Sequence, residues 1–108
     1  MVSTMGDFQR IDIGKADEIR QQAAAVVTDI RDEQSFQLSH VPGAIHLGNH
    51  NLADFVEDTD KAAPILVFCY HGHSSQSAAA LLAGQGFTEV YSVDGGFEAW
   101  RQSLPVEG

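Results

Sequence analysis

The residues best suited to chemistry lie in a short segment that starts at Cys69, the single cysteine of the chain. Gly72 stands in the middle of this segment, and two hydroxyl residues, Ser74 and Ser75, stand at its end. A tight turn of this composition points successive backbone N–H groups inward and can bind an anion. A helix that follows it adds about half a positive charge at its amino terminus. If Cys69 opens the turn, its thiolate is the anion that is stabilised, so the segment predicts a nucleophilic cysteine with a lowered pKa.

Three chemistries use a nucleophilic cysteine in an anion-binding loop. Phosphate ester hydrolysis and arsenate reduction need an arginine six positions after the cysteine, where this chain has Ser75. Thiol–disulfide exchange needs a second cysteine, which the chain lacks. Sulfur transfer needs only one, because a thiolate can hold a sulfane sulfur as a persulfide and pass it on. The residues therefore favour sulfur transfer, and a cysteine phosphatase or arsenate reductase is a weaker alternative.

Two further interpretations of this segment concern packing and metal binding. A lone cysteine is often one more small apolar residue of the core, although core packing does not require a glycine-centred turn followed by serines. His71 and His73 have, together with Cys69, the residue types of a zinc site. Structural zinc needs four ligands, however, and a turn that points its amides inward tends to point its side chains outward. We therefore expect no metal and no cofactor, and we expect His46 and His50 at the surface or at a strand end.

Short apolar strands alternate with helices on both sides of this segment. Strands are predicted at residues 25–31, 44–47, 65–69 and 89–93, and helices at 32–38, 52–56, 74–83 and 97–103. This alternation indicates an α/β fold in which helices cover both faces of a mainly parallel sheet. The strand that ends at Cys69 is apolar without alternation, as is typical of a strand buried on both faces. Ligands of such sheets bind beyond the carboxyl ends of the strands, so we expect the chemistry there.

The composition fits one small acidic domain. Six Lys and Arg stand against fifteen Asp and Glu among 108 residues, a net charge of −9, whereas nucleic acids and anionic membranes require clustered positive charge. The longest apolar runs are far shorter than the roughly 18 residues of a membrane span. Residues 8–105 are predicted to form a single domain between a flexible tail at 1–7 and a short tail at 106–108. The lone cysteine and the absence of an export signal at the start predict a cytoplasmic protein.

Two motifs flank the cysteine segment. The first comprises Asp29-Ile30-Arg31, Phe36 and Ser-His-Val-Pro-Gly-Ala at 39–44, and the second is Val-Tyr-Ser-Val-Asp-Gly-Gly-Phe-Glu-Ala-Trp at 90–100. In this order around Cys69, they resemble the rhodanese homology domain over residues 8–105. The resemblance implies a five-stranded, mainly parallel sheet between helices. It also implies a thiosulfate sulfurtransferase that moves sulfur from thiosulfate to cyanide or to a thiol acceptor, such as that of a thioredoxin-like protein, in two steps.

The resemblance also assigns roles to individual residues. It implies that Cys69 is the catalytic residue, which carries the persulfide. The implied substrate-binding residues, whose amides would hold the transferred sulfur, are Tyr70, His71, Gly72, His73 and Ser74. Many members of the family have Arg or Lys in this loop to bind the donor, and residues 69–74 of this chain contain neither. A sulfur carrier between proteins and a non-catalytic rhodanese-like module that binds a partner are the alternatives.

The first motif contains the charged residues Asp29 and Arg31, two positions apart. This spacing places both side chains on the same side of a strand. We therefore expect an internal ion pair rather than a clamp for the substrate. The resemblance likewise gives Asp29, Arg31 and His40 a chiefly structural role.

Overall fold

The computed structural model describes residues 6–108, over which strands and helices alternate. The strands are β1 Gln9–Ile11, β2 Val26–Asp29, β3 Ile45–His46, β4 Ile65–Phe68 and β5 Val90–Val93. The helices are α1 Ile13–Arg20, α2 Glu33–Leu38, α3 Leu52–Asp58, α4 Ser74–Gly84 and α5 Gly96–Ser103. Residues 6–108 contain no helix that is both long enough and apolar enough to cross a membrane.

The five strands form one sheet in the order β1-β5-β4-β2-β3, and every neighbouring pair is parallel. The four residues of the central strand β4 are fully buried. Leu66 and Phe68 pack into a cluster with residues of α1 and α5, whereas Ile65 and Val67 pack into a second cluster with residues of α3 and α4. Helices therefore cover both faces of the sheet, and the predicted α/β fold is confirmed.

The sequence analysis did not predict β1 and α1. β1 is a three-residue edge strand with two exposed residues, and α1 buries only Ala16 and Ile19. For this reason, neither segment shows the regular spacing of apolar residues by which a strand or a helix is predicted. Asp12 is the local signal that marks the start of α1, because its carboxylate accepts a hydrogen bond from the Lys15 amide at 2.9 Å, as an N-cap residue does.

Segments near both ends of the described chain contact the domain. The Gly6 amide donates to the Ala80 carbonyl at 3.0 Å, and His40 and Glu107 exchange two backbone hydrogen bonds of 2.7 and 2.9 Å. Residues 1–5 of the predicted flexible tail lie outside the described residues. The boundaries at 1–7, 8–105 and 106–108 stay predictions.

Candidate active site

The Cys69 loop, residues 69–74, leaves the carboxyl end of β4 and enters α4 at Ser74. Cys69 itself is only 4% exposed. The start of α5 holds the loop in place, because the Phe97 amide donates to the Cys69 carbonyl at 2.8 Å and the Glu98 amide donates to the Tyr70 carbonyl at 3.1 Å. The most buried strand and the last helix thus fix the position of the cysteine together.

Two glycines permit this close packing of the loop. Gly72 has φ +94°, and a Cβ there would lie 2.9 Å from the backbone nitrogen of Gly95. Gly96 has φ +58°, and a Cβ there would lie 2.5 Å from the carbonyl oxygen of Cys69. Side chains avoid positive φ and cannot fit at such distances. The loop therefore requires glycine at both positions.

Hydrogen-bond donors converge on the sulfur of Cys69. The amides of Gly72 and Ser75 lie 3.1 and 3.3 Å from Sγ, and the hydroxyl of Ser75 lies 3.2 Å from it. Ser92 of β5 in turn places its hydroxyl 2.8 Å from that of Ser75. Both serines are fully buried, so water does not compete for these bonds.

These contacts decide the protonation of the cysteine. Burial raises the pKa of the Cys69 thiol, but hydrogen bonds from the Ser75 hydroxyl and from the amides of Ser75, Gly72 and His71 outweigh burial and lower the net pKa. The thiolate is the nucleophilic form of cysteine, and a lowered pKa raises its fraction at neutral pH. The lowered pKa predicted from the loop composition is therefore confirmed.

The remaining side chains of the loop face outward. Tyr70, His71 and His73 are exposed, and Tyr70 donates its hydroxyl hydrogen to Asp32 and lies 3.0 Å from the Ser35 hydroxyl. The Tyr70 hydroxyl is the largest cause that lowers the pKa of Asp32, to about 2. Tyr70 thus anchors the loop to the start of α2.

Sequence reasoning missed Ser75 and Ser92 as functional residues. It used Ser75 as one of the hydroxyl residues at the end of the turn and as evidence against phosphate chemistry, but it gave Ser75 no contact with the sulfur. The signals were nevertheless present, since Ser75 is the second hydroxyl residue after the glycine-centred turn and Ser92 is the polar residue of the otherwise largely apolar strand β5. Only the fold brings the two hydroxyls together, because they lie 17 residues apart in the chain.

The expected ion pair between Asp29 and Arg31 is confirmed. The Arg31 Nη2 lies 2.8 Å from the Asp29 Oδ2, and the two side chains are 4% and 0% exposed. Arg31 also donates to the carbonyl of Ser39 at 2.6 Å, and its guanidinium lies 4.0 Å from the centre of the Phe97 ring. Arg31 is therefore committed to contacts inside the protein and is not a clamp for an incoming anion.

Metal-ligating atoms come together at another place in the described chain. Glu33, His46 and His50 each offer a ligand atom, and these atoms lie within 4.8 Å of one another. The sequence analysis expected His46 and His50 only at the surface or at a strand end, and the fold is what brings Glu33 close to them.

The Cys69 loop at the carboxyl end of an all-parallel sheet indicates the protein family of this chain. The family model for the rhodanese-like domain matches residues 13–103, and the chain belongs to this family. Among its relatives, thiosulfate sulfurtransferase GlpE of Pseudomonas putida strain F1 is 58% identical over 103 residues, which are 95% of this chain and 94% of that protein. Thiosulfate sulfurtransferase GlpE of Ectopseudomonas mendocina strain ymp is 59% identical with the same coverage.

Solved structures agree with this assignment. The rhodanese-like domain of the Alr3790 protein from Anabaena sp. superposes with a TM-score of 0.76 at 26% identity, over 94% of this chain and 80% of that one. The BH2092 protein from Bacillus halodurans superposes with a TM-score of 0.79 at 28% identity, over 93% of this chain and 77% of that one. The resemblance seen in the sequence is thereby confirmed.

Proposed function

We propose that the protein is a thiosulfate sulfurtransferase in which Cys69 carries the sulfur as a persulfide. The observation that carries the proposal is the convergence of two amides and one hydroxyl on a buried sulfur at the carboxyl end of the central strand. This arrangement stabilises a thiolate and leaves the loop to receive a second sulfur. The relatives named thiosulfate sulfurtransferase GlpE support the choice of donor.

In the first step, the Cys69 thiolate attacks the outer sulfur of thiosulfate. A new S–S bond forms, the bond to the sulfonate sulfur breaks, and its electron pair leaves with sulfite. The outer sulfur of the persulfide now carries the negative charge. The loop amides of Tyr70, His71, His73 and Ser74 are the proposed donors to this outer sulfur, and the His71 amide also contributes to the lowered pKa of Cys69.

In the second step, an acceptor attacks the outer sulfur. Cyanide becomes thiocyanate, or a thiolate becomes a persulfide, and the electron pair of the S–S bond returns to Cys69 as thiolate. Sulfur is transferred with no external oxidant or reductant, and no proton must move when both nucleophiles enter as anions. The Ser75 hydroxyl and the amides of Gly72 and Ser75 contact Sγ, and they stabilise Cys69 as the leaving group of this step.

Phosphatase or arsenate reductase chemistry is disfavoured by the contacts at position 75. The residue there is a buried serine whose hydroxyl is hydrogen-bonded to the Cys69 sulfur. The position therefore supplies no guanidinium to bind a phosphoryl group. Arg31 does not substitute, because it is paired with Asp29 inside the protein. A non-catalytic module does not need the donors around Sγ.

Intact mass measurement tests the proposal. The protein is incubated with thiosulfate, the excess thiosulfate is removed, and the intact mass of the protein is measured. We expect a gain of one sulfur atom, complete loss of this gain on addition of cyanide, and no gain in Cys69→Ser. Absence of the gain, or the same gain in Cys69→Ser, would overturn the proposal. Ser77→Ala, a change at an exposed serine of α4 outside the loop, serves as the control that should gain the sulfur normally.

The physiological acceptor is proposed to be a thiol, in the cytoplasm, where a reducing environment keeps a lone cysteine available. Turnover with small thiols is to be compared with turnover with a reduced thioredoxin-like protein. A markedly higher kcat/KM with the protein acceptor would support the carrier role between proteins. Equal values would give no reason to invoke a protein acceptor.

A further inference from the structure

We propose that Glu33, His46 and His50 form a binding site for Zn²⁺, separate from the Cys69 loop. The three residues come from the first turn of α2, the end of β3 and the turn that precedes α3. Each offers one ligand atom, and these atoms lie within 4.8 Å of one another. Ligand atoms lie about 2 Å from a tetrahedral zinc ion. Modest rotation of the exposed Glu33 and His50 side chains would therefore bring all three ligand atoms to bonding distance from one ion.

His46 is held as a metal ligand usually is. Its Nε2 lies 2.5 Å from the Arg31 carbonyl oxygen. A carbonyl only accepts, so Nε2 carries the proton and Nδ1 presents its lone pair. Histidine ligands of metals commonly donate their second N–H to a carbonyl in this way, which fixes the tautomer and the orientation of the ring.

The Nδ1 atom of His46 is the second observation that points to a ligand. It is buried, and it has no hydrogen-bond partner in the described part of the chain. A buried polar atom left without a partner costs about 1–3 kcal/mol, and most such atoms in proteins are satisfied. A zinc ion at this position would satisfy the lone pair of Nδ1.

Hydrogen bonds hold the chain between the two histidines in a fixed turn. Asn51 accepts a hydrogen bond from the Gly48 amide at 2.9 Å and donates one to the His46 carbonyl at 2.8 Å. The rings of His46 and His50 are nearly parallel, at 19°, with centres 5.6 Å apart. Gly48 makes room for them, since a Cβ there would lie 3.1 Å from the His50 Nδ1. Preorganisation of this kind reduces the entropy that metal binding must overcome.

Two imidazoles and one carboxylate are a ligand set that suits Zn²⁺, and three protein ligands leave a fourth position for water or another ligand. The net charge of −9 also favours accumulation of cations near the surface. Glu33 follows Asp32, the residue to which Tyr70 donates its hydroxyl hydrogen. An ion here would therefore join the β3–α3 turn to the end of α2 that supports the Cys69 loop.

Zinc titration in Cys69→Ser protein tests the site, because this background removes the competing thiolate. Free Zn²⁺ is measured with a chromophoric chelator. We expect one equivalent of Zn²⁺ to bind, and we expect the affinity to fall at least about tenfold in His50→Gln and in Glu33→Gln. Loss of a residue that only hydrogen-bonds to a metal ligand already reduces metal affinity by this factor, so loss of a ligand should do at least as much. Both residues are exposed, so the fold should tolerate the changes. The matched control is His73→Gln, an exposed histidine of the Cys69 loop, which should bind zinc as the parent does.

The proposal is overturned if the parent binds no zinc, if His50→Gln and Glu33→Gln bind as tightly as the parent, or if His73→Gln loses binding to the same degree. Ring ¹⁵N chemical shifts give a second readout in the intact fold. Zinc should shift the Nδ1 signal of His46 and a ring nitrogen of His50, and leave His71 and His73 in place. A shift confined to His71 and His73 would move the site to the loop and contradict the assignment.

Discussion

The hydroxyl oxygens of Ser75 and Ser92 lie 2.8 Å apart, and the first of them is 3.2 Å from the sulfur of Cys69. All three residues are buried. When Cys69 is a thiolate, Ser92 can donate to Ser75, which directs the single hydroxyl hydrogen of Ser75 to the sulfur. When Cys69 is a thiol, the chain of hydrogen bonds runs in the opposite direction. Ser92 is therefore a positioning residue that touches neither the sulfur nor the proposed substrate.

Ser75→Ala should reduce kcat/KM for thiosulfate near neutral pH by roughly ten- to a hundredfold, because a hydrogen bond to a charged group is worth about 1.5–3 kcal/mol. Ser92→Ala should give a smaller loss in the same direction. Both changes should raise the pKa of Cys69, so activity should recover as the pH rises. Thiolate ultraviolet absorbance against pH measures this directly.

Ser77→Ala is the control for these variants, since Ser77 is an exposed serine of the same helix α4. It should leave the thiolate titration unchanged. A Ser92→Ala protein that lost activity equally at all pH values, with the same thiolate titration as the parent, would show a packing defect instead.

Gly72→Ala should destabilise the protein and lower the yield of persulfide. The added Cβ would lie 2.9 Å from the Gly95 nitrogen, at a φ of +94°, and a left-handed conformation costs a non-glycine residue about 1–2 kcal/mol before any clash. Urea unfolding measures the stability, and intact mass measures the persulfide. Gly14→Ala in helix α1 is the matched change, and it should be neutral or stabilising, because alanine is the better helix former. Equal stability of the two variants would contradict the role of Gly72.

Local signals along the chain sufficed for most of the fold and for the cysteine. The unbroken apolar run of β4 marks the centre of the sheet, and the glycine after Cys69 marks the anion-binding turn. β1 could not be predicted, because two of its three residues are exposed and pairing with β5 alone defines it as a strand. Ser92 and the cluster around His46 were missed for a related reason, since tertiary contacts between distant segments create them.

Tyr70→Phe should raise the pKa of Asp32 from about 2 toward its ordinary value of 3.8, since the Tyr70 hydroxyl is the main cause of the shift. A carboxyl with a lowered pKa in the folded state stabilises the protein above its unfolded pKa, and the contribution is lost as the pH falls through the folded pKa. The parent should therefore lose more stability than Tyr70→Phe between pH 4 and pH 2. Carboxyl chemical shifts of Asp32 give the titration.

Tyr91→Phe removes a hydroxyl of the same type from β5, where it donates to Glu89 at 2.7 Å. The Asp32 titration should be the same in this control as in the parent. An Asp32 pKa that stayed near 2 in Tyr70→Phe would show that the amide and hydroxyl of Ser35 suffice to hold it.

Arg31→Met should destabilise the protein by about 3–5 kcal/mol, because it leaves the carboxylate of Asp29 buried without its partner. The double variant Asp29→Asn with Arg31→Met removes the uncompensated charge and should recover part of this loss. Urea unfolding measures both. Under conditions where the variants are folded, persulfide formation should continue. A raised KM for thiosulfate at unchanged stability would instead make Arg31 a ligand of the donor.

Salt should increase kcat/KM for thiosulfate. The donor is a dianion, the protein carries a net charge of −9, and the Cys69 loop contains no Lys or Arg. Repulsion between them weakens as the Debye length falls from about 30 Å at 0.01 M to about 8 Å at 0.15 M ionic strength. We expect a rise of about two- to threefold over this range, since steering of charged ligands is a salt-dependent rate effect. Discharge of the preformed persulfide to a thiolate acceptor that carries a single negative charge is the internal control and should depend less on salt than the reaction with the dianionic donor. A fall in kcat/KM with salt would contradict this prediction and would mean that cationic side chains outside the loop guide the donor. Arg10 is one such exposed residue, and it pairs with Asp94 after strand β5.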